Sequence, residues 1–285
     1  LLLYGISSSA IITVDNKSPY AGQYRTLQEA HDAASAGDII YVSPSLMPYT
    51  GIVVTKQLTF YGVGFEITHS LGGALSPVAI ITGLMQFVNG SAGSQLEGFD
   101  GSFQVIIAAS NITIKRNKLS QIAMGVEGRD SSILQNIIDN SNLQDYTTIS
   151  VSGATNVIIA NNLIKNIRGF GNDHWGYYYA IIDGSDLLIK NNVIKVYGYA
   201  WTSSNSQMVN NIIVVVGSGS IQGIYNFVRY NMTNTVELPV GDGNINNIDM
   251  ATVFVDINNN DYHLLPNSPA KGTGENGADM GIYGG

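Results

Sequence analysis

One asparagine recurs through this chain at a fixed place between two apolar positions, and few folds accommodate that pattern. An apolar residue, two variable positions, Asn, one variable position and a second apolar or β-branched residue occur as Ile114/Asn117/Leu119, Ile133/Asn136/Ile138, Ile159/Asn162/Ile164, Ile189/Asn192/Ile194, Met208/Asn211/Ile213 and Val228/Asn231/Thr233. Successive asparagines lie 19, 26, 30, 19 and 20 residues apart, so the short spacings define a unit and the longer ones carry insertions. Upstream, Leu58/Phe60/Val63/Phe65 and Leu96/Phe99 fit the same frame with apolar residues in place of Asn. Each unit alternates apolar and polar residues over short β-branched runs such as "SNITIKRN" and "TNVIIANN", which is a strand period and not a helical one. Units of this length, with short strands and Asn or Gly turns, suit a coil that stacks on itself. A leucine-rich repeat would need more leucines per unit and a returning helix, and neither is present. The asparagines are therefore read as architecture: one amide per coil turns the backbone and is shared with the next rung.

The two ends depart from the repeat, as the caps of a solenoid do. In "YRTLQEAHDAASAG", Leu27, Ala30, Ala33 and Ala34 fall on a helical period, Thr26 stands as N-cap with Glu29 at the capping-box position, and Gly37 is a stop signal. This segment, 24–37, predicts a helix closing the bottom of the coil, and "GDIIYVSPS" then supplies a first strand. "YRTLQEAHDAASAGDIIYV" followed by "KQLTFYGVGF" resembles the opening segment of secreted bacterial right-handed β-helix proteins of the pectate-lyase-like superfamily. "NDYHLLPNSPAKGTGENGADMGIYGG" resembles the closing segment of many of the same proteins. The resemblance implies an all-β chain: a right-handed single-stranded parallel β-helix with an N-terminal capping helix and an irregular C-terminal cap. The expected boundaries are an N-terminal apolar segment over 1–23 and one β-helix domain over 24–285, with coils from 38 to 240 and a closing segment from 241. That fold hosts lyases, hydrolases, adhesins and inert spikes, so it does not decide activity.

Composition narrows the partners. Only 12% of the 285 residues are charged and the net charge is −8, which argues against nucleic acid, a partner that needs clustered cations. There is no cysteine, so disulfides and thiolate metal sites are excluded. No apolar run reaches the length of a membrane-spanning helix. The opening "LLLYGISSSAIITV" resembles the tail of a secretory signal, with a cleavage-like Ser8 to Ala10. If retained, its apolar residues need cover, either from the chain's own core or from a neighbouring copy. Leu1, Leu2, Leu3, Ile11, Ile12 and Val14 are accordingly the candidate assembly residues, with "AIITV" lent to a neighbour as an added strand.

Catalytic chemistry leaves a fainter trace. A glycoside hydrolase needs paired carboxylates, and Asp139, Asp145, Asp173, Asp183 and Asp186 occupy different places in their units. The paired aspartates, Gly-His-Gly and Arg-Ile-Lys of the family's hydrolases have no counterpart. A lyase needs a cation to neutralise a uronate carboxylate and a base beside it. The nearest candidates are Arg168, Asp173, His174 and Lys190, in or beside the longest insertion, where "NDHW" carries an Asp-His pair of one family signature with its surroundings reversed. The same region holds Phe170, Trp175 and Tyr177, and aligning units on Asn162 and Asn192 brings Tyr197, Tyr199 and Trp201 to the corresponding place on the next rung. Such aromatic faces suit sugars or a protein partner. No cofactor is required. Calcium is the one candidate ion, because Asp242/Asn244/Asn246 and Asp256/Asn258/Asn260 mimic the first three ligands of a calcium loop, without its later Gly and Glu. Asx turns account for the same pattern. His31, His69, His174 and His263 have no metal-ligand spacing.

These observations lead to an expectation of a secreted or cell-surface structural or adhesive protein without chemistry, binding copies of itself in a filament or surface layer, a polysaccharide, or both. The alternative is a lyase acting on a uronate glycan at 168–190. A tailspike would need trimer contacts along the coil, for which the sequence marks no surface.

Overall fold

The computed structural model describes residues 9–17, 19, 22–63, 78–141, 147–167, 179–217, 219–221 and 227–284. The chain winds as a right-handed parallel β-helix whose three walls are stacked parallel sheets of ten, six and eight strands. One coil runs from Thr113–Lys115 in the ten-stranded sheet to Lys118–Leu119 in the six-stranded sheet and Gln121–Met124 in the eight-stranded sheet, then returns at Ser132–Leu134. Inward columns are aliphatic: Ile114, Ile133, Ile159, Ile189 and Met208 follow one another in register and are fully buried.

At the corner between the ten- and six-stranded sheets the repeat asparagines form a continuous ladder. Phe99 N donates to Asn117 Oδ1 (3.0 Å), Asn117 N to Asn136 Oδ1 (2.9 Å), Asn136 N to Asn162 (2.8 Å), Asn162 N to Asn192 (2.9 Å), Asn192 N to Asn211 (3.0 Å) and Asn211 N to Asn231 (2.9 Å). Each Nδ2 donates back to a strand carbonyl of the coil before, as Asn162 does to Ile133 O (2.8 Å). The residue before each ladder asparagine takes the left-handed conformation, with φ of 52° at Arg116, 56° at Gln135, 57° at Asn161 and 54° at Asn191. That geometry is unusual outside glycine and is held by the ladder. A second corner repeats the device with Asn111, Asp130, Asn156, Asp186 and Asn205, all left-handed, while Ser94, Ser131 and Ser206 hydroxyls accept from the strands beside them.

The N-terminal helix is Leu27–Ala33, shorter than the 24–37 expected, with the full Thr26/Glu29 capping box. It ends ahead of Gly37 because Ala34 is already extended and Lys56 Nζ donates to the terminal carbonyls of His31 (2.7 Å) and Ala34 (2.7 Å). His31 is buried on this helix and its Nε2 accepts from Thr55 N (3.2 Å).

Two expectations change. The segment Ile11–Val14 is the first strand of the chain's own ten-stranded sheet, paired in register with Ile39–Val42, so the coil starts before position 24. Ile12 and Val14 are buried in the core while Ile11 is exposed. The outer edge of this strand is occupied: Thr13 N donates to Gln23 Oε1 (2.9 Å), Asp15 N to Tyr24 O (2.9 Å), and Tyr24 N to Thr13 O (3.0 Å). The strand's partners among the described residues thus lie within its own chain. Leu1, Leu2 and Leu3 lie outside the described residues.

The closing segment also does more than cap. It first seals the far end, with Ile245 bridged to Met232 and Asn244 extending the ladder as the acceptor for Asn231 N (3.0 Å). It then lies back along the six-stranded sheet as a strap containing the antiparallel pair Phe254–Asp256 and Asp261–Leu264. Leu163, Val193, Ile212 and Val214 on the outer side of that sheet are buried against Met250, Phe254, Tyr262 and Met280 in a second core. Asn161 Nδ2 donates to Gly284 O (3.0 Å), and Asn210 accepts from Gly281 N (2.8 Å) and Glu275 N (2.7 Å).

Asn162→Ala leaves the buried Asn136 amide without its acceptor and removes a second bond to the Ile133 carbonyl, and on the order of 3 kcal/mol of stability is lost. Asn162→Asp is at least as damaging, since it buries an unpaired charge. Urea unfolding of the purified variants checks both, and an unchanged midpoint for Asn162→Ala would show that the ladder is dispensable.

Candidate functional site

Register converts sequence into three chemically distinct walls. On the ten-stranded sheet the outer column Glu97, Lys115, Leu134, Ala160, Lys190, Val209 and Arg229 mixes both charges. On the six-stranded sheet the outer column Ile137, Leu163, Val193, Ile212 and Met232 is apolar and lies under the strap. On the eight-stranded sheet Val53, Gln86, Ile106, Ala123, Ser150, Ile182 and Thr202 form one in-register column in which every member is partly or fully exposed and none is charged. Among the described residues this is the least charged wall of the coil: the one charged residue in its strands is Asp183, exposed at the bulge in Tyr179–Ser185.

At the upper end of the same sheet Tyr179 and Tyr199 begin successive strands and sit opposite one another in register. Their rings stack at 5.2 Å between centroids with 26° between planes, and both are half-buried. Tyr197, at the corner just before, is also half-buried, and its ring fills the space above Gly217, where a Cβ would come within 2.7 Å of it. Gly217 has φ of 68°, so both its conformation and its contact with Tyr197 favour the absence of a side chain.

The sequence-expected residues separate. Trp201 is not a surface aromatic: it is 1% exposed, because it continues the inward column of Ile149 and Ile181. Lys190 is exposed on the ten-stranded sheet, at a different corner from the ends of the 168–178 insertion, which leaves from Ile167 and returns at Tyr179. Asp183 is exposed and left-handed at a bulge in its strand, and Asp186 accepts from Asn205 in the second corner column. Arg168, Phe170, Asp173, His174, Trp175 and Tyr177 lie outside the described residues.

The calcium-like stretches are engaged in turns. Asn244 is the final ladder member, and Asn246 brackets Leu238 through its N (3.1 Å) and O (3.0 Å). Asp256 accepts from Asn258 N (3.2 Å), Asn259 N (3.2 Å) and Asn259 Nδ2 (2.7 Å), which hold its carboxyl below the usual carboxylate range. Among the described residues no group of three or more His, Cys, Asp or Glu is placed to hold a metal ion.

A feature missing from the sequence reading is a charged row beneath the strap. Asp139, Lys165 and Lys195 are register neighbours on three successive coils. Lys165 Nζ donates to Asp139 Oδ2 (2.7 Å), and Lys195 Nζ reaches Ile257 O on the strap (3.4 Å). Burial pushes the Asp139 carboxyl up, but the bonds from Lys165 and Ser141 and the lysine charge outweigh it and hold it below its ordinary value. Burial, then the Lys165 charge, pushes Lys195 down. The recurring Lys in "LIKN" and "VIKV" was the available signal.

No protein-family model matches the sequence, and no curated protein matches it. Among solved structures the chain is similar to the crystal structure of the pectate lyase Pel9A, with a TM-score of 0.43 and 14% identity over 98% of this chain and 97% of that one.

The Asp139 shift fixes the sign of an acid effect. A carboxyl whose folded pKa lies below its unfolded one adds stability above the unfolded value of about 3.9, and that stability is lost as pH falls through the folded value. Asp139→Asn is therefore less stable than the wild type at neutral pH, and the gap closes as acid protonates Asp139 in the parent. Urea midpoints measured from neutral to acidic pH test this; a gap that widens in acid would reverse the assignment.

Proposed function

We propose that this protein is a non-catalytic β-helix of the secreted or cell-surface kind that binds a neutral polysaccharide along the outer wall of its eight-stranded sheet. The observation that carries this reading is the in-register column from Val53 to Thr202, every member of which is partly or fully exposed and none charged. Seven coils at about 4.8 Å spacing give a face roughly 29 Å long, the span of several sugar units laid end to end. Gln86 and Ser150 offer donors and acceptors to sugar hydroxyls, and Ile106, Ala123 and Ile182 meet their C–H faces. The net charge of −8 disfavours a polyuronate on such a wall. Among the described residues the column offers no carboxylate pair and no basic group for hydrolysis or elimination.

An adhesive role follows from binding along a rigid rod. Assembly by strand addition is less well supported, because the outer edge of the first strand is occupied by Gln23 and Tyr24.

Depletion assays against insoluble cellulose and xylan, with immobilised polygalacturonate in parallel, test the proposal. Binding to one of the neutral polymers is expected, weakened about tenfold by Ile106→Asp, which places a charge in the middle of the column. Preference for polygalacturonate, with unsaturated products accumulating, would sink this reading in favour of a lyase. Filaments without glycan binding would favour self-assembly.

A further inference from the structure

The geometry points to a second, separate site: the cleft where the strap meets the lower end of the six-stranded sheet is built to hold a single neutral sugar ring. It lies on a different wall from the proposed polysaccharide face and does not depend on it. The cleft encloses about 290 Å³, at the lower limit for small-ligand pockets and too small for a chain. Its floor is apolar, formed by Ile137, Leu163 and Ile282.

The cleft's charges are paired off around that floor. On the sheet side Lys118 Nζ lies 3.4 Å from Asp100 Oδ1 and Lys165 Nζ lies 2.7 Å from Asp139 Oδ2. On the strap side His263 Nδ1 lies 2.6 Å from Asp261 Oδ1, and the His263 ring stacks on Tyr283 at 4.7 Å with 16° between planes. Each lysine thus faces its own carboxylate, and His263 Nδ1 is bonded to Asp261. The result is a ring of donors and acceptors already engaged with one another.

That arrangement selects against ligands with a single charge. A uronate or an amino sugar competing for the largely buried Lys165–Asp139 pair would leave one of its members without a partner, and that cost falls only on the charged ligand. A neutral pyranose asks for no such exchange. Its hydroxyls can bridge between carboxylate acceptors and lysine donors already held in place, while its C–H face lies on the apolar floor and the edge of the His263/Tyr283 stack. At the same wall the Tyr262 hydroxyl lies 3.5 Å from Asn260 Oδ1, and burial and then the Asp139 charge push it well above its ordinary range, so it adds no charge to the cleft. Tyr283 is 39% exposed at the mouth, where an entering ring would cover it.

The test is titration of the full chain with methyl β-D-glucopyranoside, methyl β-D-galactopyranoside and methyl α-D-mannopyranoside, followed by NMR. Glucuronate and glucosamine serve as the charged counterparts. Saturable binding of at least one neutral glycoside is expected, with a dissociation constant on the order of 1 mM for so small a ligand, and with shifts in the His263 ring signals. Tyr283→Leu should weaken it about tenfold. Lys118→Met on the opposite wall, away from the strap, provides a second reading if Tyr283→Leu loosens the C-terminal segment, and it should weaken binding by a similar factor. Absence of saturation with all three glycosides, tighter binding of either charged sugar, or wild-type affinity in Lys118→Met would each overturn the proposal.

Discussion

A buried amide handed from coil to coil is the interaction on which the rest of this structure depends. Each ladder asparagine accepts from the backbone of the coil before it and donates to a strand carbonyl there, which satisfies polar groups that the tight corner would otherwise strand out of reach of water. Only an uncharged side chain with both donor and acceptor can do this, so neither Asp nor Leu would substitute. The ladder also fixes register: because every Asn bonds its neighbour, coils of 19, 26 and 30 residues return to the same corner, and the extra residues are expelled elsewhere. The insertions of the 26- and 30-residue coils leave at the corner between the six- and eight-stranded sheets.

Fixed register makes each wall a set of columns, and each column has one chemistry along most of its length. The six-stranded wall is the instructive case. Its strands carry apolar residues on both faces, which a sheet open to water on one side would not tolerate, and the strap supplies the missing cover. The anchors of the strap are the left-handed corner residues themselves: Asn161 donates to it and Asn210 accepts from it. One corner therefore both closes the coil and fastens the C-terminal segment.

Much of this was legible in the sequence. The Asn spacing, the strand period and the Thr26/Glu29 capping box are local patterns, and local patterns survive folding when tertiary contacts agree with them. What escaped was positional. Trp201 looked like a surface aromatic because unit alignment gives its place in the coil but not its facing, and its register with Ile149 and Ile181 turns it inward. The strap was visible as a closing segment, yet its course was not. The clue lay in "NNLIKN", "NNVIKV" and "NNIIVV", where apolar residues fill successive positions instead of alternate ones. The second corner column was hidden because Ser-Asn, Arg-Asp, Thr-Asn and Ser-Asp share no single residue type, only the capacity for a left-handed turn.

The treatment of the sheet ends bears on where function can reside. A parallel β-helix exposes three strand edges at each terminus, and open edges recruit other chains. Here the first strand has its outer amides taken by Gln23 and Tyr24, and at the other end Ser220, Asn244 and Ile245 bond the last strands. Among the described residues these contacts take up backbone groups at both ends, and side-chain chemistry is presented by the walls. Of those, one is covered by the strap and one is studded with mixed charges. On the remaining wall the column from Val53 to Thr202 carries no charge, so the neutral polysaccharide proposed for it would meet little desolvation penalty there, and a backbone held by the ladder would be ordered little by binding.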